Sequence, residues 1–281
     1  MNITTNETTV TVGQCTATCL ASSKGERGMT VYTFELRYPR IIHGEFMTHR
    51  VFSRNSMSSR ATPAKVLIED VLDNPYVPQY ILGNKAGMVG EDTLTEEQKM
   101  KFLSEYNRLV GYTCQKAIEL NALGVHKNLI NRLIEPYSFM KTIVTATEWD
   151  NFFKLRLAPD AEPNMRDLAD AIKQSMQKAP KELSKKTHLP YVTEEESKGL
   201  TPLEAMMVSS ARCARVSYYN HDGSEPNIDK DIQLFHRLLR GGHFSPMEHP
   251  CVASEDSASY YNLHGFMSLR YILNEKFNER Y

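Results

Sequence analysis

The chain has 281 residues, 41% hydrophobic and 24% charged, and a formal net charge of −1, the balance of an ordinary globular protein. A charge this near zero argues against a face built for duplex nucleic acid, and no apolar run reaches the roughly 18 residues of a membrane-spanning helix. The N-terminus, MNITTNETT, lacks the basic and apolar regions of a secretory leader, so a cytoplasmic protein with small-molecule partners, no nucleic acid and no membrane is expected.

In chain order, Cys15 and Cys19 come first, spaced C-x3-C without a second Cys/His pair at zinc spacing. With Cys114, Cys213 and Cys251 they make an odd set, which suits reduced, structural thiols and no metal site. Next, Val31, Thr33 and Glu35 alternate with Tyr32, Phe34 and Leu36, the period of a half-buried strand within 29–48. Residues 48–60, THRVFSRNSMSSR, then concentrate hydroxyls and guanidiniums. A guanidinium forks onto phosphate and a serine hydroxyl donates to the same oxygens, so His49, Arg50, Ser58 and Arg60 outline an anion pocket. The plainer alternative is a solvated basic loop.

A capping box, Thr95-x-x-Gln98, opens a long amphipathic helix running to Gly124, with Phe102, Tyr106, Leu109, Val110, Tyr112 and Ala117 expected in the core. Shorter helices are expected at 126–135, carrying Arg132, and at 146–157, carrying Asn151 and Arg156. Pro159 and Pro163 precede another at 164–178. Residues 179–200 read as a charged surface connector without a core of its own. Thr201, Pro202 and Glu204 start a helix as N-cap, N1 and N3, and a further helix at 227–240 ends at Gly241-Gly242, setting His243 at a turn. Cys251 follows Pro250, the dipeptide in which cysteine-dependent thymidylate synthases carry their nucleophile, but a structural thiol is the reading adopted.

Several dispersed segments carry a resemblance. HR-x7-S (49–58) behind a TFxLxxPRxxxxxFM strand resembles the RHR-x7-S signature of the flavin-dependent thymidylate synthases, which methylate dUMP without a cysteine nucleophile. GGHFSPMEH (241–249) is similar to that family's GHxSPFEH segment, SARCARVSYYN (210–220) to its AARVSY run, NRLIEPYSF (131–139) to ARxVLPxN, and WDNFFKLR (149–156) to NFLxLR. The order is rearranged, since ARVSY and GHxSPFEH precede RHR in ordinary members. The resemblance therefore implies one permuted catalytic domain, with residues 1–178 as one block, 179–200 as connector and 201–281 as the other. HGFMSLR (264–270) echoes HGEFMTHR (43–50) and could rebuild a strand lost at the new end.

The resemblance implies an α+β fold: a mixed or antiparallel sheet carrying the 29–48 strand and the 249–256 region, with a helical lobe at 95–178. It implies Ser58, Arg60 and Arg132 as dUMP ligands, and Arg156 as both ligand and catalytic group, placed against the uracil carbonyls where charge develops as C5 becomes nucleophilic. His49, Arg50, Asn151, His243 and Ser245 match flavin-binding positions. FAD as cofactor, NADPH and methylenetetrahydrofolate as co-substrates, and a homotetramer follow by the same route. Departures from the family pattern are Thr48 for the first arginine of RHR, Glu45 where Gln is common, Ser56 for a glutamate, Ala61 for a tyrosine, Asn128 near an expected Glu, and Asp160 where a flavin-stacking His is usual. Two alternatives stay open: a related flavoenzyme that installs hydroxymethyl or accepts UMP, and a nucleotide- or flavin-binding homologue without turnover.

Overall fold

The computed structural model describes residues 7–25, 27–179, 187–217 and 227–278. Its centre is an antiparallel five-stranded sheet of β1 (Thr9–Val12), β2 (Cys15–Lys24), β3 (Thr30–Pro39), β4 (Ser53–Ser56) and β5 (Phe139–Ala146), in the order β1-β2-β3-β5-β4. A second sheet joins β6 (Thr187–His188), β7 (Cys251–Ala253) and β10 (Phe266–Ser268) in the order β10-β7-β6, and a hairpin pairs β8 (Ser259–Tyr260) with β9 (Leu263–His264). The helices are α1 (His43–Phe46), α2 (Ala64–Asp73), α3 (Glu96–Ala122), α4 (Lys127–Ile134), α5 (Asp150–Arg156), α6 (Pro163–Lys178), α7 (Glu194–Lys198), α8 (Pro202–Ala214), α9 (Ile228–Arg240) and α10 (Leu269–Asn278). The α+β expectation holds. Among the described residues, no helix is long and apolar enough to cross a membrane.

The central sheet is covered on both faces. Phe34, Leu36, Tyr38 and Val144 share a core with Met165, Leu168 and Ile172 of α6. On the opposite face, Val31 packs with Cys251, Leu263 and Phe266. The alternation in β3 therefore separates two buried faces, and a one-residue slip would exchange them. A chain of buried polar groups crosses the second interface. The Ser23 hydroxyl meets His188 Nδ1 at 2.9 Å, and His188 Nε2 meets Thr33 Oγ1 at 2.7 Å. Thr33 meets Thr145 Oγ1 at 2.6 Å, and Thr145 meets His249 Nδ1 at 2.9 Å.

Several expectations need correction. The strand expected over 29–48 ends at Pro39, which has no N–H for the ladder and leads into a 3-10 turn, Arg40–Ile42, and then α1. The 249–256 region lies in the second sheet, beside β6 and β10, and not in the sheet of β3. The helical lobe at 95–178 is interrupted by β5, a strand between β3 and β4 with every residue but Lys141 buried. Burial on two faces turns such a strand into an unbroken apolar run, which periodicity cannot separate from a helix. The helix expected at 146–157 begins only at Asp150, because Ala146 still belongs to β5.

On α3, the capping box forms as expected, and Val110, Cys114 and Ala117 are buried against α2 and α4, with Tyr106 packed beside them. Phe102, Leu109 and Tyr112 are 43%, 54% and 61% exposed, so core packing does not account for them. The connector has more structure than expected. His188 is fully buried in β6, Thr193 and Glu196 form a capping box on α7, and Tyr191 Oη donates to Glu35 Oε2 at 2.5 Å. Residues 180–186 of the connector and 218–220 of the SARCARVSYYN segment lie outside the described residues. The echo between 43–50 and 264–270 is not structural: HGEF forms α1, whereas FMS forms β10.

Candidate active site

The edge strand β4 organises the candidate residues, so residues 48–60 are a turn, a strand and a second turn and not one basic loop. Beneath the first turn, Phe46, Phe52, Trp149 and Phe152 pack ring on ring, and the His49 imidazole stands edge-on to Phe152 with centroids 4.9 Å apart. This aromatic floor fixes the end of α5 against the turn. Arg156, the last residue of α5, donates from Nε to His49 Nε2 at 2.8 Å and from Nη2 to Thr48 Oγ1 at 3.3 Å, while Nη1 pairs with Glu45. The bond to Nε2 requires that nitrogen to be unprotonated, and burial, then the Arg156 and Arg54 guanidiniums, hold His49 down to about 4. A guanidinium has five N–H groups. One on each terminal nitrogen of Arg156 is left for a further acceptor, and the side chain keeps 17% exposure.

The far end of β4 leads into the turn carrying Ser58 and Arg60. Asn131, fully buried on α4, donates through Nδ2 to the carbonyls of Ser59 at 2.7 Å and Thr62 at 3.0 Å and so clamps that turn. Glu135 collects three donors: Arg40 Nη2 at 2.8 Å, Arg132 Nη1 at 3.2 Å and Ser59 Oγ at 2.5 Å. Ser58 is half-buried, and Arg60 and Arg132 are exposed. Arg40 was not singled out from the sequence, although it stands in the PR dipeptide of the strand motif. Its side chain is only 12% exposed, and Nη1 has no hydrogen-bond partner among the described residues. Glu135 was also missed, although its i,i+3 spacing from Arg132 is a readable signal.

Between these ends, Tyr38 Oη contacts His43 Nδ1 and Thr142 Oγ1, each at 2.9 Å, and Thr142 donates to Ser56 Oγ at 2.9 Å. Burial, Arg40 and Arg54 hold His43 down to about 4. The GHFSPMEH segment meets the edge here. Ser245 Oγ donates to Asn55 Oδ1 at 3.3 Å, and Asn55 Nδ2 donates to the Cys213 carbonyl at 2.8 Å. Gly242, at φ +70°, turns the chain out of α9 and leaves His243 exposed.

The sequence-derived residues thus form three groups along β4, whose four residues span about 10 Å. His49 and Arg156 are in direct contact, with Arg50 next in the turn and Asn151 exposed on α5. Ser58, Arg60 and Arg132 lie around the second turn and α4, and Ser245 joins the middle through Asn55. Arg50, Asn151 and His243 are brought to no common contact among the described residues. Cys251 is fully buried and desolvation pushes its thiol up, so it faces none of these groups as a nucleophile.

The chain is similar to known proteins over about half of its length. Over 157 residues it is 29% identical to a flavin-dependent thymidylate synthase of Aquifex aeolicus (strain VF5), covering 53% of this chain and 46% of that protein. The match thus spans less than half of that relative. A solved structure of a UMP/dUMP methylase, PolB, from Streptomyces cacaoi bound with 5-Br UMP aligns at a TM-score of 0.47 and 13% identity, over 58% of this chain and 89% of that one. The family model described as thymidylate synthase complementing protein matches residues 24–181, more than half of the chain and the part that holds β3, β4, β5 and the Arg156 cluster, and the chain belongs to that family.

Proposed function

We propose that this protein is a flavin-dependent enzyme acting at C5 of a uridine monophosphate, and that its reaction is the reductive methylation of dUMP to dTMP with methylenetetrahydrofolate and NADPH. The observation that carries this reading is Arg156, held by a neutral His49, Thr48 and Glu45 with N–H groups to spare. Directed at a uracil carbonyl, those groups stabilise the negative charge that makes C5 nucleophilic, and the aromatic floor keeps the guanidinium from relaxing away. Ser58, Arg60 and Arg132 hold the phosphate, with Arg40 as an added cation beside them. Glu135 orients Arg132 and Arg40 at the same time.

The donor set also suits a flavin dinucleotide, whose diphosphate and ring carbonyls are all acceptors. His49, Arg50, Asn151, His243 and Ser245 would hold it, with FAD the form expected. Bound there, a flavin supplies the electrons that convert a transferred one-carbon unit to methyl. Because these donors are spread along β4, the reading includes a homotetramer in which copies complete one another's sites. The exposed apolar side chains of α3 support such association. It also includes the permutation: the segments similar to ARVSY and GHxSPFEH lie beyond the matched residues 24–181, yet Ser245 and Cys213 pack onto β4.

Anaerobic incubation with FAD, NADPH, methylenetetrahydrofolate and dUMP or UMP, with nucleotide products resolved by mass, tests the reading. A gain of one CH2 on dUMP supports it, and a gain of CH2O assigns hydroxymethylation. Unchanged nucleotide despite measurable dUMP affinity would reject turnover and make this a binding protein, with Thr48 and Asp160 as the first positions to revert.

A further inference from the structure

A second basic site lies on the outer side of α9. A cleft of about 910 Å³ is lined by Arg215, Lys230, Gln233, Leu234, His236, Arg237 and Arg240. Four of these are permanently cationic, and among the described residues no carboxylate lines the cleft, in a chain whose net charge is −1. Of the two acids in the first turn of α9, Asp229 is exposed beside Lys230, and Asp231 is fully buried and already taken by Arg212 Nε at 2.9 Å and by Arg215. Arg215 is therefore partly neutralised, whereas Lys230, Arg237 and Arg240 are exposed and make no ion pair among the described residues. Other arginines contrast with this: Arg40, Arg108, Arg132, Arg156 and Arg270 each have a carboxylate partner.

The spacing describes the ligand. From Lys230 to Arg240 the helix rises about 15 Å, so the cations are strung along a line and not gathered around a point. A lone phosphate would engage one end only. Like charges lined up along an open cleft repel each other and present a positive field, and an extended ligand carrying several negative groups relieves that repulsion along the whole line. Leu234 at the floor gives such a chain a methylene-sized contact.

We propose that the α9 cleft is a binding site for a flexible oligo-anion, a linear chain bearing several carboxylates or phosphates. The inference is independent of the C5 chemistry and uses none of the residues assigned to it. The test is isothermal titration of the intact protein with two probes, tri-glutamate and tripolyphosphate, at low salt (about 50 mM), where screening is modest. Binding of either probe supports the site, and the tighter probe identifies carboxylate or phosphate as the natural group. Arg237→Gln/Arg240→Gln is expected to weaken binding at least tenfold. Lys230→Glu is the second variant, because an acid in the first turn of α9 is favourable to the helix. It must weaken binding as well, while Lys65→Gln, on the exposed face of α2, leaves it unchanged. Failure of both probes to bind below millimolar concentration overturns the proposal. Equal weakening by Lys65→Gln would also overturn it, since the attraction would then be general.

Discussion

Removing the Arg156 guanidinium separates the charge-stabilising role from a merely structural one. In Arg156→Ala, the two N–H groups left over after the bonds to His49, Thr48 and Glu45 disappear, and with them, on the proposed function, the stabilisation of developing carbonyl charge. Loss of one such donor group costs about 3 kcal/mol in the transition state, roughly a hundredfold in turnover. The stability cost is smaller. The Glu45 carboxylate is a third exposed, so that ion pair is screened, and the main penalty is an unpaired His49 Nε2, about 1–2 kcal/mol, or a fall in Tm of about 2–4 °C. Arg156→Lys keeps the charge but not the fork and is expected to fall between the two. Steady-state assay of dTMP formation, with Tm measured on the same samples, reads both effects. The reasoning fails if Arg156→Ala is folded and retains more than about a tenth of the turnover, or if the whole effect lies in KM, since uniform binding would then be all that Arg156 supplies.

Asn131→Ala removes two bonds from inside the turn bearing Ser58 and Arg60; a loss of about 2–3 kcal/mol in denaturant unfolding is expected, with KM for dUMP raised more than kcat is lowered, and an unchanged KM would detach this turn from phosphate binding. Cys251→Ala is expected to keep most of the turnover, and its abolition, with Arg156→Ala active, would favour cysteine attack instead. For pH, burial holds His43 and His49 down to about 4 and His249 to about 3, all below the ordinary value of 6.5. Since the unfolded chain binds the extra protons first, stability is fully present above about 6.5 and declines as pH falls through the window down to about 4, with His249 extending it toward 3. A Tm that stays level from pH 7 to 4 would contradict that account. Thr145→Val deprives Thr33 and His249 of a shared hydroxyl, leaving the second ring nitrogen of a buried imidazole unpaired, and should lower stability by about 1–3 kcal/mol.

Local chemistry made much of this legible in advance. Thr95 with Gln98 and Thr201 with Glu204 bond reciprocally as their spacing implies, and Gly242 turns the chain where the paired glycines suggested. The HR and NFFKLR segments, 107 positions apart in sequence at His49 and Arg156, meet in one hydrogen bond. What stayed hidden depends on the second face of a surface. β5 is apolar on both sides, so its alternation vanishes into a run resembling a helix. Phe102, Leu109 and Tyr112 keep helical spacing while facing away from the core, because periodicity identifies a stripe but not what covers it. Arg40 and Glu135 are ordinary surface types in sequence, and only tertiary folding buries them together.

The polar file from Ser23 through His188, Thr33 and Thr145 to His249 bears on how this chain can be cut. The residues matched to the family, 24–181, contain Thr33, Thr145 and Asn55 but not the His188, His249 and Cys213 groups that satisfy them. Excised alone, that segment would lose β1 and all of β2 but Lys24 and present a row of hydroxyls flanked by bare Val31, a sheet without two of its strands and one of its walls. Recognisable ancestry and structural closure therefore have different borders in this protein, and a fragment cut at the edges of the family match is expected to lose solubility, because groups that close its sheet lie outside it.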